Sequence, residues 1–335
     1  MSIKIAVNGF GRTGRMFFRA ALYHPEIEIV AINDLANATT IAHLLKHDSV
    51  HGALKDEVRC EDGSIFIGSK QVRVFSQPDP SKLPWKTFGI EITVESSGKF
   101  TKRDKAALHL DAGARKVIVS APSDGADVTL CIGVNHNDYD PRRHDVISNA
   151  SCTTNGLAPI AKVLQENFGI VQGLMTTVHA YTNDQMLLDG PHKDLRRARA
   201  AALSMVPTST GAAKAIGLVL PALKGKLDGI AIRVPTPNVS LIDLTATLER
   251  DVDENTVKAA MKQAADGELK GILECCEEQL VSSDFNSNPH SSIFDAGLTK
   301  VLGRRMVKVF SWYDNEWGYA CRLADLAALV AKKLS

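Results

Sequence analysis

Residues 3–15 read Ile3-Lys4-Ile5-Ala6-Val7-Asn8-Gly9-Phe10-Gly11-Arg12-Thr13-Gly14-Arg15 and set the fold of the first half of the chain. Five mainly apolar residues predict a short strand, and three glycines follow in the spacing G-x-G-x-x-G. Residues 15–23 then predict a helix, residues 28–32 predict a second strand, and Asp34 follows it. The glycine spacing alone is weak evidence, but strand, glycines, helix, strand and acid in this order are typical of a dinucleotide-binding unit.

Each part of this motif has a physical task. Gly9 allows the tight turn, Gly11 lets the backbone approach a pyrophosphate, and Gly14 lets the helix pack closely on the strand. The helix N-terminus favours the negative charge of that pyrophosphate. Asp34 can accept hydrogen bonds from ribose hydroxyls and would repel a 2′-phosphate, so the motif predicts NAD in preference to NADP.

Strands and helices continue to alternate up to residue 150. A helix is expected at 39–46, small hairpins at 58–75, a strand at 92–95 and a helix opening with a capping-box-like pair at 101–104. Further strands are expected at 117–120, 129–134 and 145–147. Together they predict a Rossmann-type, mostly parallel sheet, with the loops at Ser97 and Ser120 on the edge where the cofactor lies.

The pattern changes after residue 150. Longer strands are expected at 173–178, 229–234, 240–249 and 306–312, with helices at 210–223 and 253–265. Apolar and polar residues alternate along 242–248, which suits a largely antiparallel sheet covered on one face. A last helix at 318–333 is expected to return to the first domain. We therefore expect an NAD domain of residues 1–150 with 316–335, and an α+β catalytic domain of residues 151–315.

Cys152 lies where a strand gives way to a helix. The surrounding residues are Ser148-Asn149-Ala150-Ser151-Cys152-Thr153-Thr154-Asn155, and the apolar residues after them recur at the helical period. A helix N-terminus favours a thiolate, which is a strong nucleophile. A buried, inert core cysteine is the usual alternative, but the polar neighbours argue against it.

His179 follows a predicted strand at 175–178 and precedes a polar loop. Most of the ten histidines are expected to be exposed or structural. The position of His179 at a strand end makes it the best candidate base for Cys152. Such a pair implies covalent catalysis through a thiohemiacetal or thioester.

Composition limits the possible classes of protein. The 335 residues are 44% hydrophobic and 23% charged, with a net charge of +1, which argues against binding to nucleic acid or an anionic membrane. The six cysteines show neither a disulfide framework nor metal-ligand spacing, so no metal is expected. No signal peptide or membrane span is evident, and a cytoplasmic location is expected.

These residues closely resemble the family of bacterial, phosphorylating glyceraldehyde-3-phosphate dehydrogenases. The resemblance runs from end to end. It includes the segments 8–12, 148–155, 179 with 181–185, 207–213, 233–237 and 312–319.

The resemblance implies that Cys152 is the nucleophile, that His179 activates it, and that glyceraldehyde 3-phosphate, inorganic phosphate and NAD are the reactants. It places the sugar phosphate on Thr182 and Arg233. It places inorganic phosphate on Ser151, Thr153, Arg197, Thr210 and Gly211, with Arg196 and Arg199 as open alternatives to Arg197. It gives the NAD contacts as Gly9, Phe10, Gly11, Arg12, Thr13, Gly14, Asp34, Ser97, Ser120, Asn315 and Tyr319. It also implies a homotetramer in which residues 181–203 contact a neighbouring subunit.

Three positions depart from the family pattern. Thr13 replaces a common isoleucine, Gly156 a frequent second cysteine, and Pro78 an arginine at the adenosine end of the cofactor. The change at Pro78 bears on NAD affinity, whereas the chemistry does not depend on it.

Two other functions remain open at this point. An erythrose-4-phosphate dehydrogenase shares the Cys/His pair but hydrolyses its thioester and generally lacks the threonines that match Thr182 and Thr210 here. A non-enzymatic nucleotide- or RNA-binding protein would not need an intact Cys152/His179 pair.

Overall fold

The computed structural model describes residues 2–334, which form two compact units. The first contains the residues up to Leu130, His136–Ala150 and the chain from Ala320 onward. The second contains Cys131–Asn135 and Ser151–Tyr319. Residues 131–135 and 316–319 thus lie in the second unit, whereas the expected division assigned them to the first.

The first unit is built around a nine-stranded sheet. Its strands are β1 Ile3–Asn8, β2 Ile27–Asn33, β3 Val58–Glu61, β4 Ser64–Ile67, β5 Lys70–Phe75, β6 Ile92–Glu95, β7 Lys116–Val119, β8 Val128–Thr129 and β9 Val146–Ser148. The order across the sheet is β3-β4-β5-β2-β1-β6-β7-β9-β8. All neighbouring pairs are parallel except β3 with β4 and β4 with β5.

The chain leaves β1 toward β2 on one side and later returns to place β6 on the other side. The strand order therefore reverses between β1 and β6, and their carboxyl ends border the crevice where α/β sheets bind ligands. The strands beside this point are fully buried: Ile5, Val7, Ile92 and Val94 are all inaccessible to solvent.

The second unit contains a seven-stranded mixed sheet. Its strands are β10 Ile170–Ala180, β11 Val206–Ser209, β12 Leu227–Val234, β13 Ser240–Leu248, β14 Leu273–Cys276, β15 Ser292–Leu302 and β16 Met306–Tyr313. The order is β11-β12-β10-β13-β16-β15-β14, and four of the six neighbouring pairs are antiparallel. The predicted fold class is confirmed by a mostly parallel sheet in one unit and a mixed, largely antiparallel sheet in the other.

The α-helices are α1 Arg12–Ala21, α2 Ala38–Lys46, α3 Trp85–Phe88, α4 Arg103–Ala106, α5 Leu108–Asp111, α6 Cys152–Phe168, α7 Ala212–Val219, α8 Glu254–Asp266 and α9 Trp317–Leu334. In the second sheet, alternate residues of β13 are buried, as the apolar spacing predicts. Its buried residues Ile242 and Leu244 face the side on which α6 contacts the strand.

Several local expectations were wrong. The strand expected at 129–134 ends at Thr129, because residues 131–135 turn and join the second unit. The capping box expected near Thr101 is absent, since α4 begins after Lys102 and no side chain caps it. Strands β11, β14 and β15 were not expected.

Within residues 2–334, no helix is long and apolar enough to cross a membrane. The same residues bring together no group of three or more His, Cys, Asp or Glu side chains that could hold a metal ion. All six cysteines are free thiols.

Candidate active site

In the first unit, a cleft of about 340 Å³ opens at the carboxyl ends of the central strands. Loops after β1, β2, β5 and β6 line it, through Asn8, Gly9, Gly11, Asn33, Asp34, Leu35, Gln77, Pro78, Ser96, Ser97, Lys99 and Phe100. Pro78, which departs from the family pattern, therefore lies on the cleft wall.

Two glycines bring backbone segments into contact beside this cleft. Gly9 has φ +85°, and a Cβ there would lie 2.3 Å from the Cα of Ser97. A Cβ on Gly14 would lie 2.2 Å from the carbonyl oxygen of Gly9, so only glycine lets α1 pack this closely. By contrast, a Cβ on Gly11 would meet no protein atom within 4 Å and would occupy cleft space instead.

Asp34 is held by backbone N–H groups of two loops. Its Oδ2 accepts from Phe10 N at 2.7 Å, and its Oδ1 accepts from Ala36 N at 2.9 Å. Each carboxylate oxygen has a second lone pair, which a ribose hydroxyl can use. Asp34 thus joins the glycine loop to the end of β2 and presents acceptors to the cleft.

Other predicted cofactor residues make different contacts. Arg12 forms a bidentate pair with Asp48 at 3.0 and 3.2 Å, so its side chain is engaged within the first unit. Burial alone would raise the pKa of Asp48, but Arg12 and two backbone N–H groups lower that pKa to about 2.

The hydroxyl of Ser97 donates to the carboxylate of Glu95, and the backbone N–H of Ser120 donates to the backbone carbonyl of Glu95 at 2.9 Å. Thr13 is half-buried.

The residues present fit a dinucleotide. The space kept open at Gly11, the N-terminus of α1 and the acceptors of Asp34 suit a pyrophosphate followed by a ribose.

In the second unit, Cys152 is the first residue of α6. Ser151 caps the helix by accepting a hydrogen bond from Thr154 N at 3.0 Å. Ala150, just before the cap, has φ +55°, a left-handed conformation that is unfavourable for a residue with a Cβ. The thiol is therefore held at the positive end of the helix by a short, strained connection.

Cys152 Sγ lies 3.5 Å from Nε2 of His179. His179 is inside β10, whose last residue is Ala180, so it does not follow the strand as the sequence predicted. Its Nδ1 lies 2.7 Å from the carbonyl oxygen of Ala180. In the tautomer that carries its proton on Nδ1, this carbonyl accepts that proton and the Nε2 lone pair faces the sulfur.

Burial is the largest influence on the pKa of both groups. It raises the pKa of the Cys152 thiol, although the charge of Arg233 and contacts with Thr153 act in the opposite direction. It also lowers the pKa of His179 to about 3, helped by the positive charges of Arg233 and Arg197. Burial therefore acts against the thiolate that the helix N-terminus favours. A proton passed from Sγ to Nε2 would place opposite charges next to each other, on atoms that lie 3.5 Å apart.

Arg233 lies beside His179 because β10 and β12 are parallel and pair these two residues in register. Its Nη1 donates to the Ala180 carbonyl at 2.9 Å and lies 2.7 Å from His179 Nδ1. Its Nε is buried and has no hydrogen-bond partner among the described residues. This leaves a cation with an unused donor next to the thiol–imidazole pair.

Tyr313, which sequence reasoning missed, joins several site residues. Its hydroxyl bonds Thr153 Oγ1 at 3.0 Å and Thr177 Oγ1 at 2.8 Å, and its ring packs edge-on against His179. The hydroxyl of Thr153 is thus engaged by Tyr313 and keeps further hydrogen-bonding capacity. The sequence signals are the position of Tyr313 at a strand end, two residues before Asn315, and its place in the segment 312–319 that resembles the family.

Arg197 lies against β11 and its following turn. Its Nε donates to Thr208 Oγ1 at 3.0 Å, its Nη2 donates to the Ser209 carbonyl at 3.2 Å, and it pairs closely with Asp184. The Arg196 guanidinium donates to the Pro207 carbonyl at 3.4 Å, and Arg199 pairs with the exposed Asp189. These contacts favour Arg197 as the arginine nearest the next segment.

That segment contains Thr210 and Gly211, which precede α7. Thr210 Oγ1 accepts from Ala212 N at 3.2 Å, and Gly211 is the N-cap residue. The other predicted residues also lie in the second unit. Thr182 is half-buried in the loop after β10, and Tyr319 is buried in α9.

Asn315 is oriented by a neighbour on β13. Its Oδ1 accepts from Ser240 Oγ at 2.8 Å, and Ser240 Oγ accepts from Ala180 N at 3.1 Å. Val239, immediately before, has φ +66°, an uncommon conformation for a β-branched residue. The backbone is therefore strained at the residue before Ser240, the side chain that orients Asn315.

Comparison with known proteins covers both units. Residues 3–103 match the family model "Glyceraldehyde 3-phosphate dehydrogenase, NAD binding domain", and residues 151–315 match the C-terminal domain of the same family. Similar curated proteins include a glyceraldehyde-3-phosphate dehydrogenase of Geobacillus stearothermophilus, 60% identical over 333 residues and covering 99% of both chains. Glyceraldehyde-3-phosphate dehydrogenase 1 of Bacillus subtilis is also 60% identical over 333 residues, with 99% of both chains covered. A Streptomyces coelicolor relative is 56% identical over 336 residues and covers both chains fully.

The Rossmann-type unit, its cleft and these matches define an NAD-dependent oxidoreductase. More narrowly, the chain belongs to the glyceraldehyde-3-phosphate dehydrogenase family. The resemblance found in the sequence and the predicted cofactor, NAD, are confirmed.

Proposed function

We propose that the protein oxidises glyceraldehyde 3-phosphate with NAD and transfers the acyl group to inorganic phosphate, giving 1,3-bisphosphoglycerate. The observation that carries this proposal is the 3.5 Å contact between Cys152 Sγ and His179 Nε2 at the start of α6. The family membership of both units supports it.

Cys152 is the nucleophile in this proposal, and His179 handles the protons. As Sγ bonds to the aldehyde carbon, its proton passes to Nε2 and then to the substrate oxygen, which gives a thiohemiacetal. The first N–H groups of a helix lack acceptors within the helix, so those at the start of α6 can stabilise negative charge on that oxygen. The proton transfer from Sγ to Nε2 places opposite charges side by side, which offsets part of the cost of burying each of them.

Oxidation leaves a thioester on Cys152. Bound NAD would supply the hydride acceptor, and Nε2 of His179 would take the proton of the substrate hydroxyl. An oxygen of inorganic phosphate then forms a bond to the thioester carbon, the carbon–sulfur bond breaks, and His179 returns its proton to the departing sulfur. The product is an acyl phosphate, and the thiol is restored.

We further propose two anion sites. Arg233, with its unpartnered Nε, and Thr182 would hold the phosphate of the substrate. Ser151, Thr153, Thr210, Gly211 and Arg197 would hold inorganic phosphate. Since the hydroxyl of Thr153 already bonds Tyr313, the backbone N–H of Thr153 at the start of α6 would bind the phosphate together with the capacity left on that hydroxyl. The influence of Arg197 on the pKa of His179 supports the convergence of these groups.

The remaining proposed contacts concern the cofactor. Gly9, Phe10, Gly11, Arg12, Thr13, Gly14, Asp34, Ser97 and Ser120 would contact its dinucleotide part, and Asn315 and Tyr319 its nicotinamide. The side chain of Arg12 is paired with Asp48, so this residue would contribute through its backbone. As a functional division we keep residues 1–150 with 316–335 for the NAD domain and 151–315 for the catalytic domain, although residues 131–135 and 316–319 pack in the second unit.

We also propose a cytoplasmic homotetramer that binds neither nucleic acid nor membranes. The near-zero net charge supports the lack of such binding. Exposed apolar side chains support assembly, because a neighbouring subunit would remove them from water. Leu203 and Met205 are 80% and 75% exposed, and Leu174 on β10 is also exposed. Sedimentation velocity at micromolar concentration tests this: a tetramer is expected, and a monomer would refute it.

The decisive experiment measures NADH formation from glyceraldehyde 3-phosphate with and without inorganic phosphate. With phosphate, turnover is expected to continue. Without it, a single burst of about one NADH per active site is expected, because the thioester accumulates. Continued turnover at the same rate without phosphate would indicate a hydrolysing enzyme of the erythrose-4-phosphate type and would refute the phosphate site.

A further inference from the structure

Glu95, the last residue of β6, is 1% exposed and accepts four hydrogen bonds. Its Oε1 accepts from the backbone N of Ser97 at 2.8 Å and from Ser97 Oγ at 2.5 Å. Its Oε2 accepts from Asn8 Nδ2 at 2.5 Å and contacts His109 Nε2 at 3.0 Å. A buried carboxylate is costly unless its acceptors are satisfied, and here both oxygens are.

Trp85 fixes the direction of the bond from His109. The indole nitrogen of Trp85 can only donate, and it lies 3.0 Å from Nδ1 of His109. Nδ1 is therefore the acceptor, and Nε2 carries the proton that it donates to Glu95. His109 and Trp85 are both fully buried, so the carboxylate is anchored in the core of the first unit.

The other partners of Glu95 lie on the cofactor cleft. Asn8 ends β1 and Ser97 follows β6, and both line the cleft. The backbones beside them are in such close contact that a Cβ on Gly9 would lie 2.3 Å from the Cα of Ser97. The carboxylate of Glu95 thus bonds to the ends of both β1 and β6, the two strands between which the strand order reverses.

The same network extends to two more loops. Asn8 Oδ1 accepts from Asn33 Nδ2 at 2.7 Å, and Asn33 exchanges bonds with the backbone of Gln77 at 2.8 and 2.9 Å. Asn33 and Gln77 also line the cleft. These hydrogen bonds therefore connect the ends of β1, β2, β5 and β6, the four strands whose loops line the cleft. None of these bonds involves Cys152 or His179.

We propose that Glu95 is a positioning residue for NAD: it holds the loops after β1 and β6 in the conformation that accepts the cofactor. It acts through Asn8 and Ser97, while His109 and Trp85 hold it in place. A merely structural role would lower the stability of the fold without changing the affinity of the folded protein for NAD. Networks of this kind set the geometry of a site when their members are fully bonded.

Glu95→Gln tests the proposal, because it keeps the shape but places an amide N–H₂ against donors. In steady-state kinetics we expect KM for NAD to rise at least about tenfold, with kcat at saturating NAD and KM for glyceraldehyde 3-phosphate changed less than about twofold. Calorimetric titration with NAD should show the same loss. The alkylation rate of Cys152 without NAD should not change, since the second unit is untouched.

The matched control is Glu91→Gln, which removes a carboxylate just before the same strand, where it pairs with Arg115 at 2.8 Å. This variant should bind NAD normally. If Glu95→Gln does not fold, Trp85→Phe keeps the carboxylate but removes the donor that fixes His109, and KM for NAD should then rise about threefold at constant kcat. Unchanged NAD affinity in the folded Glu95→Gln or Trp85→Phe protein, or an equal loss in Glu91→Gln, would overturn the proposal.

Discussion

The NAD cleft of the first unit and the thiol–imidazole pair of the second are built in different ways. The cleft is formed largely by backbone: glycines, N–H groups and loops at strand ends, held by buried side chains such as Glu95. The pair is formed by side chains of α6 and β10, and Tyr313, 160 positions from Thr153 in the chain, bonds the Thr153 hydroxyl beside it. Substitutions in the cleft should therefore alter the affinity for NAD, whereas substitutions at the thiol–imidazole pair should alter the rate of the chemical step.

The largest effect is expected from Cys152→Ser. A serine hydroxyl is a far weaker nucleophile than a thiol that can pass its proton to His179, so kcat should fall by more than about a thousandfold. Binding of NAD, measured by titration calorimetry, should change little. Cys60→Ser is the matched control, since Cys60 is exposed and should be dispensable. Substantial turnover by Cys152→Ser would show that Cys152 is not the nucleophile, and that the second unit does not differ from the cleft in the way described.

The next effect concerns His179→Asn and the pH dependence of Cys152 alkylation. Burial raises the pKa of the thiol, so without a proton acceptor the thiolate forms only as the pH rises toward that elevated pKa. Alkylation by iodoacetamide at pH 7 should be slower by about tenfold or more, with its profile displaced to higher pH. Superimposable profiles for the two proteins would show that His179 does not activate the thiol.

Arg233→Ala should mainly weaken binding of the sugar phosphate. The charge-assisted contact is proposed to persist throughout the cycle, so KM for glyceraldehyde 3-phosphate should rise by about ten- to a hundredfold. The pKa of His179 should rise as well, because the charge of Arg233 lowers it. Kinetics at varied substrate concentration and histidine NMR titration check the two effects. A fall in kcat with KM unchanged would contradict the assignment.

Asp34→Ala should narrow the preference for NAD over NADP by about tenfold, through weaker NAD binding and lost repulsion of a 2′-phosphate. The structure adds a reason for the weaker binding, since Asp34 also holds Phe10 N and Ala36 N. The ratio of kcat/KM for the two cofactors measures this change. A wild-type protein that uses both equally well would show that Asp34 does not select the cofactor.

The smallest effect on turnover is expected from a pair of glycine variants. Gly11→Ala meets no protein atom, so its melting temperature should be normal while KM for NAD rises about threefold or more. Gly9→Ala combines a positive φ with a backbone clash, so it should lose about 2 kcal/mol or more of stability. Thermal melts and NAD titrations of both proteins separate the two roles. Equal melting temperatures would show that Gly9 does not hold the close backbone contact.

The sequence by itself determined the βαβ unit, its glycines, Asp34 and the start of a helix at Cys152. These features depend on residues close together in the chain, where periodicity and glycine conformation act locally. The alternation along β13 was equally local, and it correctly predicted which residues are buried.

Only the tertiary structure decided which distant groups meet. Arg233 lies beside His179 through the register of two parallel strands, and Arg197 lies nearest the turn at Thr210 through its contacts with β11. Glu95, fully bonded beneath the cleft, was not recognisable because its partners come from the end of β1, the loop after β6 and α5. Burial also opposes the thiolate expected at this helix end, because desolvation depends on the whole surrounding structure and not on the local sequence.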